Sequence, residues 1–201
     1  MKKILHVVSA AVKSVADECD LSFVPPMTKR RFSPLQKVVF ALLNKVAPKG
    51  ISPKVVFASQ YGEEKLTGDI VRAFNEDGDV SPWKFSSSVY NASVGLYSVF
   101  AGNHSTYTAI AAENETVENS LVEALFESGG AVWCYAEERD GGYGAAIRFE
   151  EVAASEAASW KVEVNTGDCG ETPISYEQIV KFINGQIDRL TGSRISLIRI
   201  V

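Results

Sequence analysis

The apolar residues of this chain recur with two spacings, one typical of helices and one typical of buried strands. The clearest helical pattern follows Ser33-Pro34 and places apolar side chains on one face at Leu35, Val38, Val39, Leu42, Leu43 and Val46. Serine is a favoured N-cap and proline is favoured at the first helical position. A helix is therefore predicted from this point to the Pro48 and Gly50 stop signals.

Turn signals divide the rest of the chain into further helices and strands. Strands are predicted over 2–12, 54–59, 106–112, 131–136 and 195–201, with 144–151 and 159–165 as an antiparallel pair. Helices are predicted over 91–101, 115–126, 63–75 (Leu66, Ile70, Val71 and Phe74 inward) and, from Ser175, within 172–190 (Ile179, Phe182, Ile183, Ile187 and Leu190 inward). Residues 13–32 are predicted to be irregular and 81–88 extended or irregular.

The order of these elements predicts the fold class. Strands alternate with helices over residues 50–136, which indicates an α/β unit with helices packed on a mostly parallel, mixed sheet. Residues 140–201 have a more mixed pattern and are interpreted as a C-terminal α+β extension specific to the family. A length of 201 residues without a repeat or linker suits a single domain over 1–201.

Composition and charge exclude several classes of function. The net charge is −5 and the only basic run is Lys29-Arg30-Arg31, which argues against non-specific nucleic-acid binding. No apolar stretch approaches the roughly 20 residues of a membrane span. Three widely spaced cysteines and two histidines provide neither a disulfide framework nor zinc-ligand spacing. No metal or cofactor is predicted, and a reducing cytoplasm is the simplest compartment.

Several segments resemble, in order and spacing, the N-terminal half of beta-ketoacyl synthases. Pro25 to Pro34 resembles the approach to the family's first long helix, and Val56 to Gly62 resembles its next strand and turn. Ser81 to Leu125, including Asn91-Ala92-Ser93-Val94-Gly95, resembles the family's Asn-x-x-x-Gly helix with the strand and helix after it, and Val132 to Glu138 resembles the next strand. The resemblance is strongest to short proteins described as chain length factors in aryl polyene gene clusters. It implies a single half of a thiolase-like layered fold.

The nucleophile of the family has no counterpart in this chain. A ketosynthase uses a cysteine thiolate at a helix N-terminus, and the family's spacing from Asn91 leads to Asn114. Asparagine is a good N-cap, but a carboxamide cannot form a thioester. Cys134 is expected in a buried strand, Cys169 in a turn and His104 in a surface loop. The family's catalytic histidines lie in a C-terminal half that is not expected here.

The resemblance implies a heterodimer with a catalytic beta-ketoacyl-ACP synthase. In the family the strand before the nucleophile, here about 106–111, pairs antiparallel across the dimer, and nearby segments line the partner's acyl tunnel. The candidate interface and tunnel residues are Trp83, Phe85, Val89, Tyr90, Asn91, Phe100, Thr106, Thr108 and Ile110. The alternative is that Phe85, Tyr90, Tyr97 and Phe100 fill this protein's own core.

The leading hypothesis is a non-catalytic chain length factor that shapes the acyl tunnel of a ketosynthase. The synthesis would be carrier-protein-dependent and polyene, polyketide or fatty-acid-like, and acyl carrier protein would be met through the complex. The alternatives are a scaffold or carrier-protein-binding module without a tunnel role, and a divergent acyltransferase. Homodimer and heterodimer are both compatible with these residues.

Overall fold

One continuous sheet organises the structure, a computed structural model that describes residues 2–152 and 160–200. Its strand order is β3-β2-β4-β5-β1-β6-β8-β7. The strands are β1 (Lys2–Lys13), β2 (Val55–Ala58), β3 (Tyr107–Ile110), β4 (Gly130–Glu137), β5 (Tyr143–Glu150), β6 (Trp160–Asn165), β7 (Arg189–Thr191) and β8 (Ser196–Ile200). The helices are α1 (Pro26–Lys29), α2 (Pro34–Val46), α3 (Glu64–Asp77), α4 (Pro82–Ser88), α5 (Ala92–Ala101), α6 (Thr116–Phe126) and α7 (Tyr176–Ile183). Residues 159 and 201, which the pattern assigns to strands, lie outside the described residues.

The predicted mixed sheet is confirmed, but it is not mostly parallel. Strand β2 pairs in parallel with β3 on one side and with β4 on the other. The remaining neighbours are antiparallel, so two of the seven strand pairs within the described ranges are parallel. The parallel part coincides with the alternating segment 50–136, because parallel neighbours need a crossover connection and the later strands do not have one.

The predicted antiparallel pair of 144–151 with 159–165 is wrong, although both segments are strands. Strand β1 lies between them and pairs antiparallel with both. Its residues 6–13 pair with β5 and its residues 2–7 pair with β6, so the long first strand uses both of its edges. Two strands that follow each other in the sequence suggest a local hairpin, but here each of them pairs with β1 at the start of the chain.

Two apolar cores cover the two faces of the sheet. Alternate residues of β2 point to opposite sides: Phe57 joins the core beneath α2 and α5, while Val56 joins the core beneath α6 and α7. Strand β4 follows the same rule with Cys134 and Trp133. The fully buried Trp133 donates its indole N–H to Ser120 on α6 at 2.8 Å. The protein is therefore a layered α/β/α structure.

Three helix predictions need correction. The apolar side of α3 is not inward: Val71 and Phe74 are exposed and Leu66 and Ile70 are half-buried, because α3 packs along α4 and not on the sheet. Residues 81–88 are not extended, since Pro82 opens α4.

The last helix also ends earlier than predicted. It stops at Ile183, and a turn with Gly185 at φ 70° leads into β7, which contains Leu190. Ile183 and Ile187 are half-buried, while Ile179 and Phe182 are buried as predicted. The Arg199 guanidinium donates to the carbonyls of Phe182 and Ile183 in the last turn of the helix, and the Phe182 carbonyl also accepts from the Gly185 N–H at 3.2 Å.

A buried carboxylate joins the C-terminal extension to α6. Glu118 is fully buried and accepts hydrogen bonds from the backbone N–H groups of Ile174, Ser193 and Arg194 at 2.6–3.2 Å. The Ser193 hydroxyl donates to it at 2.9 Å. Gly192 passes so close that a Cβ there would lie 2.4 Å from the carboxylate. One anion thus fixes the path of the 192–195 turn.

We expect Glu118→Gln to lower the free energy of unfolding by about 2–3 kcal/mol, because hydrogen bonds to a charged group are lost and an amide donor faces backbone donors. The measurement is urea unfolding of the variant beside Glu123→Gln, which changes an exposed carboxylate on the same helix. Equal midpoints for the two variants would contradict the role given to Glu118.

Candidate functional site

The turn between β3 and α6 contains the position predicted for the nucleophile. Asn114 lies in a short 3₁₀ turn, Glu113–Glu115, and its side chain is exposed. The predicted N-cap role of Asn114 is wrong, because Glu115 occupies the cap position and makes no side-chain cap bond. The buried Thr116 hydroxyl stabilises the turn instead: it accepts from the Ala112 N–H at 2.8 Å and donates to the Glu113 carbonyl at 2.7 Å.

The two carboxylates beside Asn114 differ in their surroundings. Glu113 is exposed and has a left-handed backbone with φ 47°. The Glu115 carboxylate accepts from Arg194 at 2.8 Å and from Asn119 at 3.3 Å, and these bonds, that from Arg194 above all, hold its pKa below the usual range. A general acid at neutral pH needs a raised pKa, so Glu115 is unsuited to that role. The polar groups of this turn are the Asn114 amide and the two carboxylates beside it.

Strand β3 is the edge strand of the sheet next to this turn. It pairs in parallel with β2, and no other strand of the described residues pairs with it. The Val55 N–H donates to the Thr106 carbonyl at 3.2 Å. Because alternate residues of a parallel strand turn their backbone groups the same way, Thr106 and Thr108 face β2. The N–H groups of Tyr107 and Ala109 consequently face outward from the sheet.

The helices next to this edge expose large apolar side chains. On α4, Phe85 is 62% exposed. On α5, Val99 is 82% exposed, and Tyr107 on β3 is also exposed. Helix α4 contacts α5, and α5 contacts β3. We call the exposed apolar side chains of α4, α5 and β3, with the linker between the two helices, the β3 face; exposed apolar patches mark sites of protein interaction.

Tyr90 connects the ends of the parallel strands from the linker between α4 and α5. Its hydroxyl accepts from the Ser59 N–H at 2.9 Å and lies against the carbonyls of Ser59 and Ile110, after β2 and at the end of β3. Burial raises the pKa of Tyr90 to about 12, so it stays a neutral donor. Gly62 packs on the ring, and a Cβ there would lie 2.9 Å from it.

A network of buried carboxylates lies at the same ends of the strands. Glu63 is 3% exposed and accepts from the hydroxyls of Ser33 at 2.9 Å and Ser93 at 2.8 Å. Burial, with a contribution from the Glu138 charge, raises the pKa of Glu63 to about 7. Glu137 accepts from the Ser59 hydroxyl at 3.0 Å, and burial raises its pKa as well. Sequence reasoning missed this network, because it joins residues far apart in the chain.

The candidate residues divide into two groups. Trp83, Phe85, Val89 and Asn91 are exposed on the β3 face. Thr106 and Thr108 are also exposed, but they alternate with Tyr107 along the strand and so lie on the other side of the sheet, the side of Val56. Ile110 is half-buried, and Tyr90 is half-buried with its hydroxyl turned inward. Phe100 is half-buried against the rings of Phe23, Phe40 and Tyr97, which makes it part of the core. Tyr97 is buried, so the core alternative holds for these two rings and not for Phe85.

The remaining candidate groups are two cysteines and a histidine that belong to other segments of the chain. Cys134 is fully buried in β4, and burial raises the pKa of its thiol to about 12. Cys169 and His104 are exposed. Within residues 2–152 and 160–200, no group of three or more His, Cys, Asp or Glu side chains could hold a metal ion. No helix in these ranges is long and apolar enough to cross a membrane.

Comparison with protein families and solved structures adds a family and a fold. A family model described as beta-ketoacyl synthase, N-terminal domain, matches residues 7–129. The chain is similar to a chain of the ketosynthase ApeO in complex with its chain length factor ApeC from Xenorhabdus doucetiae. The TM-score is 0.68 at 18% identity, over 94% of this chain and 87% of that one. No curated protein matches the chain.

Two further similarities concern longer chains. The ishigamide ketosynthase/chain length factor matches with a TM-score of 0.54 at 15% identity, over 75% of this chain and 53% of that one. A further match is a chain of AntDE:AntF, a type II PKS acyl-carrier protein in complex with its ketosynthase bound to the hexaketide. The TM-score is 0.59 at 11% identity, over 74% of this chain and 62% of that one. At these identities the similarities show the fold alone. The predicted thiolase-like α/β fold is confirmed.

We expect the stability of this protein to fall as pH rises from about 4.5 to 7, because the folded state binds the Glu63 proton more tightly than the unfolded chain does. This group accounts for a loss on the order of 3 kcal/mol across that window. Glu63→Gln keeps an acceptor for both serines and should flatten the dependence. Urea unfolding at several pH values tests this, with the exposed Glu76→Gln as control. An unchanged slope in Glu63→Gln would contradict the assignment.

Proposed function

This chain belongs to the beta-ketoacyl synthase N-terminal domain family, and from that premise we propose that it is a non-catalytic chain length factor. It pairs with an active ketosynthase and shapes the acyl tunnel at their interface, in carrier-protein-dependent synthesis of a polyene, polyketide or fatty-acid-like chain. The observation that carries the proposal is the turn after the edge strand β3, which presents Asn114 and no thiol.

The chemistry of this turn supports a role without catalysis. Acyl transfer through a thioester needs a thiolate, and the three cysteines are at positions 19, 134 and 169, so none belongs to the 113–115 turn. Cys134 is sealed in the core, where burial favours the neutral thiol. Asn114 and its two neighbouring glutamates contribute no alternative nucleophile with an activating base.

The edge of β3 supports the pairing step. An edge strand of a monomer is commonly protected by charged residues or proline, but residues 105–112 contain neither. The opposite edge strand, β7, has three residues and begins with Arg189, which pairs with Asp168. The unprotected β3 edge and the apolar β3 face together suit a permanent partner, for which the catalytic ketosynthase subunit is the candidate.

The C-terminal extension supports the interpretation of a single half that folds without a second one. Strands β6, β8 and β7 continue the sheet beyond β1, and α7 packs on the same face of the sheet as α6. The similarity that covers 94% of this chain extends through most of residues 140–200, beyond the 7–129 range of the family model. Residues 140–201 would therefore replace contacts that a second half makes in longer relatives.

We expect Ala109→Pro to abolish the complex with a catalytic ketosynthase of the same organism, because it removes an N–H that faces the open edge while leaving the bonds to β2. Proline is tolerated on edge strands when its nitrogen faces outward. Co-expression and size-exclusion chromatography test this, with thermal unfolding of the isolated chain as a check on folding.

Thr108→Pro is the matched control, since its N–H faces β2 and its loss should lower the melting temperature of the isolated chain. A wild-type chain that stays apart from the ketosynthase, or an Ala109→Pro complex of unchanged affinity, would contradict pairing through this edge.

We expect Phe85→Ala to shift the products of the complex toward longer chains, because a bulky ring at the end of a tunnel limits length by steric exclusion. Phe74→Ala is the control, as it removes an equally exposed ring from α3. Mass spectrometry of the products gives the length distribution. The same distribution from Phe85→Ala and wild type, in an intact complex, would favour a scaffold without a tunnel role.

A further inference from the structure

Two helices of this protein begin with the same capping box, but the two glutamine amides differ in their surroundings. At α2, the side-chain oxygen of Gln36 accepts from the backbone N–H of Ser33 at 3.1 Å, and the backbone N–H of Gln36 donates to the Ser33 hydroxyl at 3.0 Å. At α7, Gln178 and Ser175 make the same pair of bonds. Gln178 is half-buried, whereas Gln36 is completely buried.

The capping box fixes the orientation of the Gln36 amide and leaves its donor unused. Since Oε1 is bonded to the Ser33 N–H, Nε2 points away from the cap, and it is buried without a hydrogen-bond partner among the described residues. A buried polar group without a partner is costly and uncommon in folded proteins. The described residues therefore supply no acceptor for this donor.

Gln36 lines a cleft of about 330 Å³ that opens on the β3 face. The other lining residues come from α4, from α5 and from the edge strand, and they are Trp83, Ser86, Ser87, Val89, Asn91, Ala92, Gly95, Leu96, Val99 and Tyr107. Gly95 allows the Tyr107 hydroxyl to lie against α5, since a Cβ there would be 3.0 Å from it. The cleft is thus continuous with the surface proposed to meet the ketosynthase.

The lining selects the chemistry of the occupant. Its walls are largely apolar, and no charged side chain of the described residues lines it. A carboxylate would lose its hydration here without a cation to replace it, which is unfavourable. A neutral oxygen on an apolar body can accept from Gln36 at no such cost. The cleft volume suits a side chain or a short inserted turn.

We propose that this cleft is the anchor site for the ketosynthase partner, which inserts a group with a neutral acceptor oxygen that the Gln36 Nε2 binds. The inference rests on the proposed function, because the partner is the subunit named there. It adds a buried polar contact to an interface whose cleft is largely apolar, so Gln36 contributes to the register and the specificity of docking. Unpaired polar groups are what an interface uses to reject a wrong partner.

The test compares two variants of the full chain in titrations with the purified ketosynthase. Gln36→Glu keeps the acceptor for the Ser33 N–H and exchanges the donor for a carboxyl oxygen, which also adds a buried acid, while Ala92→Leu fills the cleft and leaves Gln36 intact. Each should weaken affinity by roughly ten- to a hundredfold. Gln178→Glu makes the same exchange in the other capping box and should leave affinity unchanged. Thermal unfolding of each isolated chain identifies a variant that fails to fold.

Every outcome bears on the proposal. Weaker binding by both Gln36→Glu and Ala92→Leu, with Gln178→Glu equal to wild type, supports the anchor site. Wild-type affinity in a folded Gln36→Glu overturns it and assigns the amide to solvent, while the proposed pairing stands. Self-association of the wild type in sedimentation that Gln36→Glu removes overturns it in favour of a second copy of the chain. If the wild-type chain does not bind the ketosynthase, the pairing and the anchor site both fail.

Discussion

Backbone hydrogen bonds at the edges of the sheet constrain this structure more than any single side chain does. Every strand has two edges, and an edge left open to solvent invites pairing with another chain. Strand β1 would have such an edge if the chain ended after β5, since β5 pairs only with its residues 6–13. Strand β6 pairs with residues 2–7 on the other side. The extension therefore continues the sheet and leaves β3 at one end and the three-residue β7 at the other.

The same constraint explains why the extension must be held firmly. The part of the extension after β5 has three short strands and one helix of eight residues, which contribute little stability unless they are docked. Glu118 provides the docking point, because one buried carboxylate satisfies successive N–H groups of the 192–195 turn. Glu118 lies on α6, the helix that directly follows the Asn114 turn. The contacts that hold the extension thus also hold the position where a ketosynthase would carry its nucleophile.

Local sequence signals predicted what local interactions decide. The α2 helix was predictable because Ser33, Pro34 and the apolar stripe from Leu35 act within a few residues. The partners of β1 were not, because pairing over more than a hundred residues leaves no local signal. Helix α3 misled for a related reason: its apolar stripe is real, but Phe74 faces outward and not into the core. The Ser-x-x-Gln pattern could have identified the Gln36 cap, but not the burial of its amide.

The geometry of the turn at Asn114 is a requirement of the fold. Glu113 has a left-handed backbone, which costs a residue other than glycine about 1–2 kcal/mol. Thr116 offsets this cost with two hydrogen bonds inside the turn. Without the sharp turn, α6 could not fold back on the sheet directly after the edge strand. The sharp turn is therefore a packing requirement of the fold, whichever side chain stands at position 114.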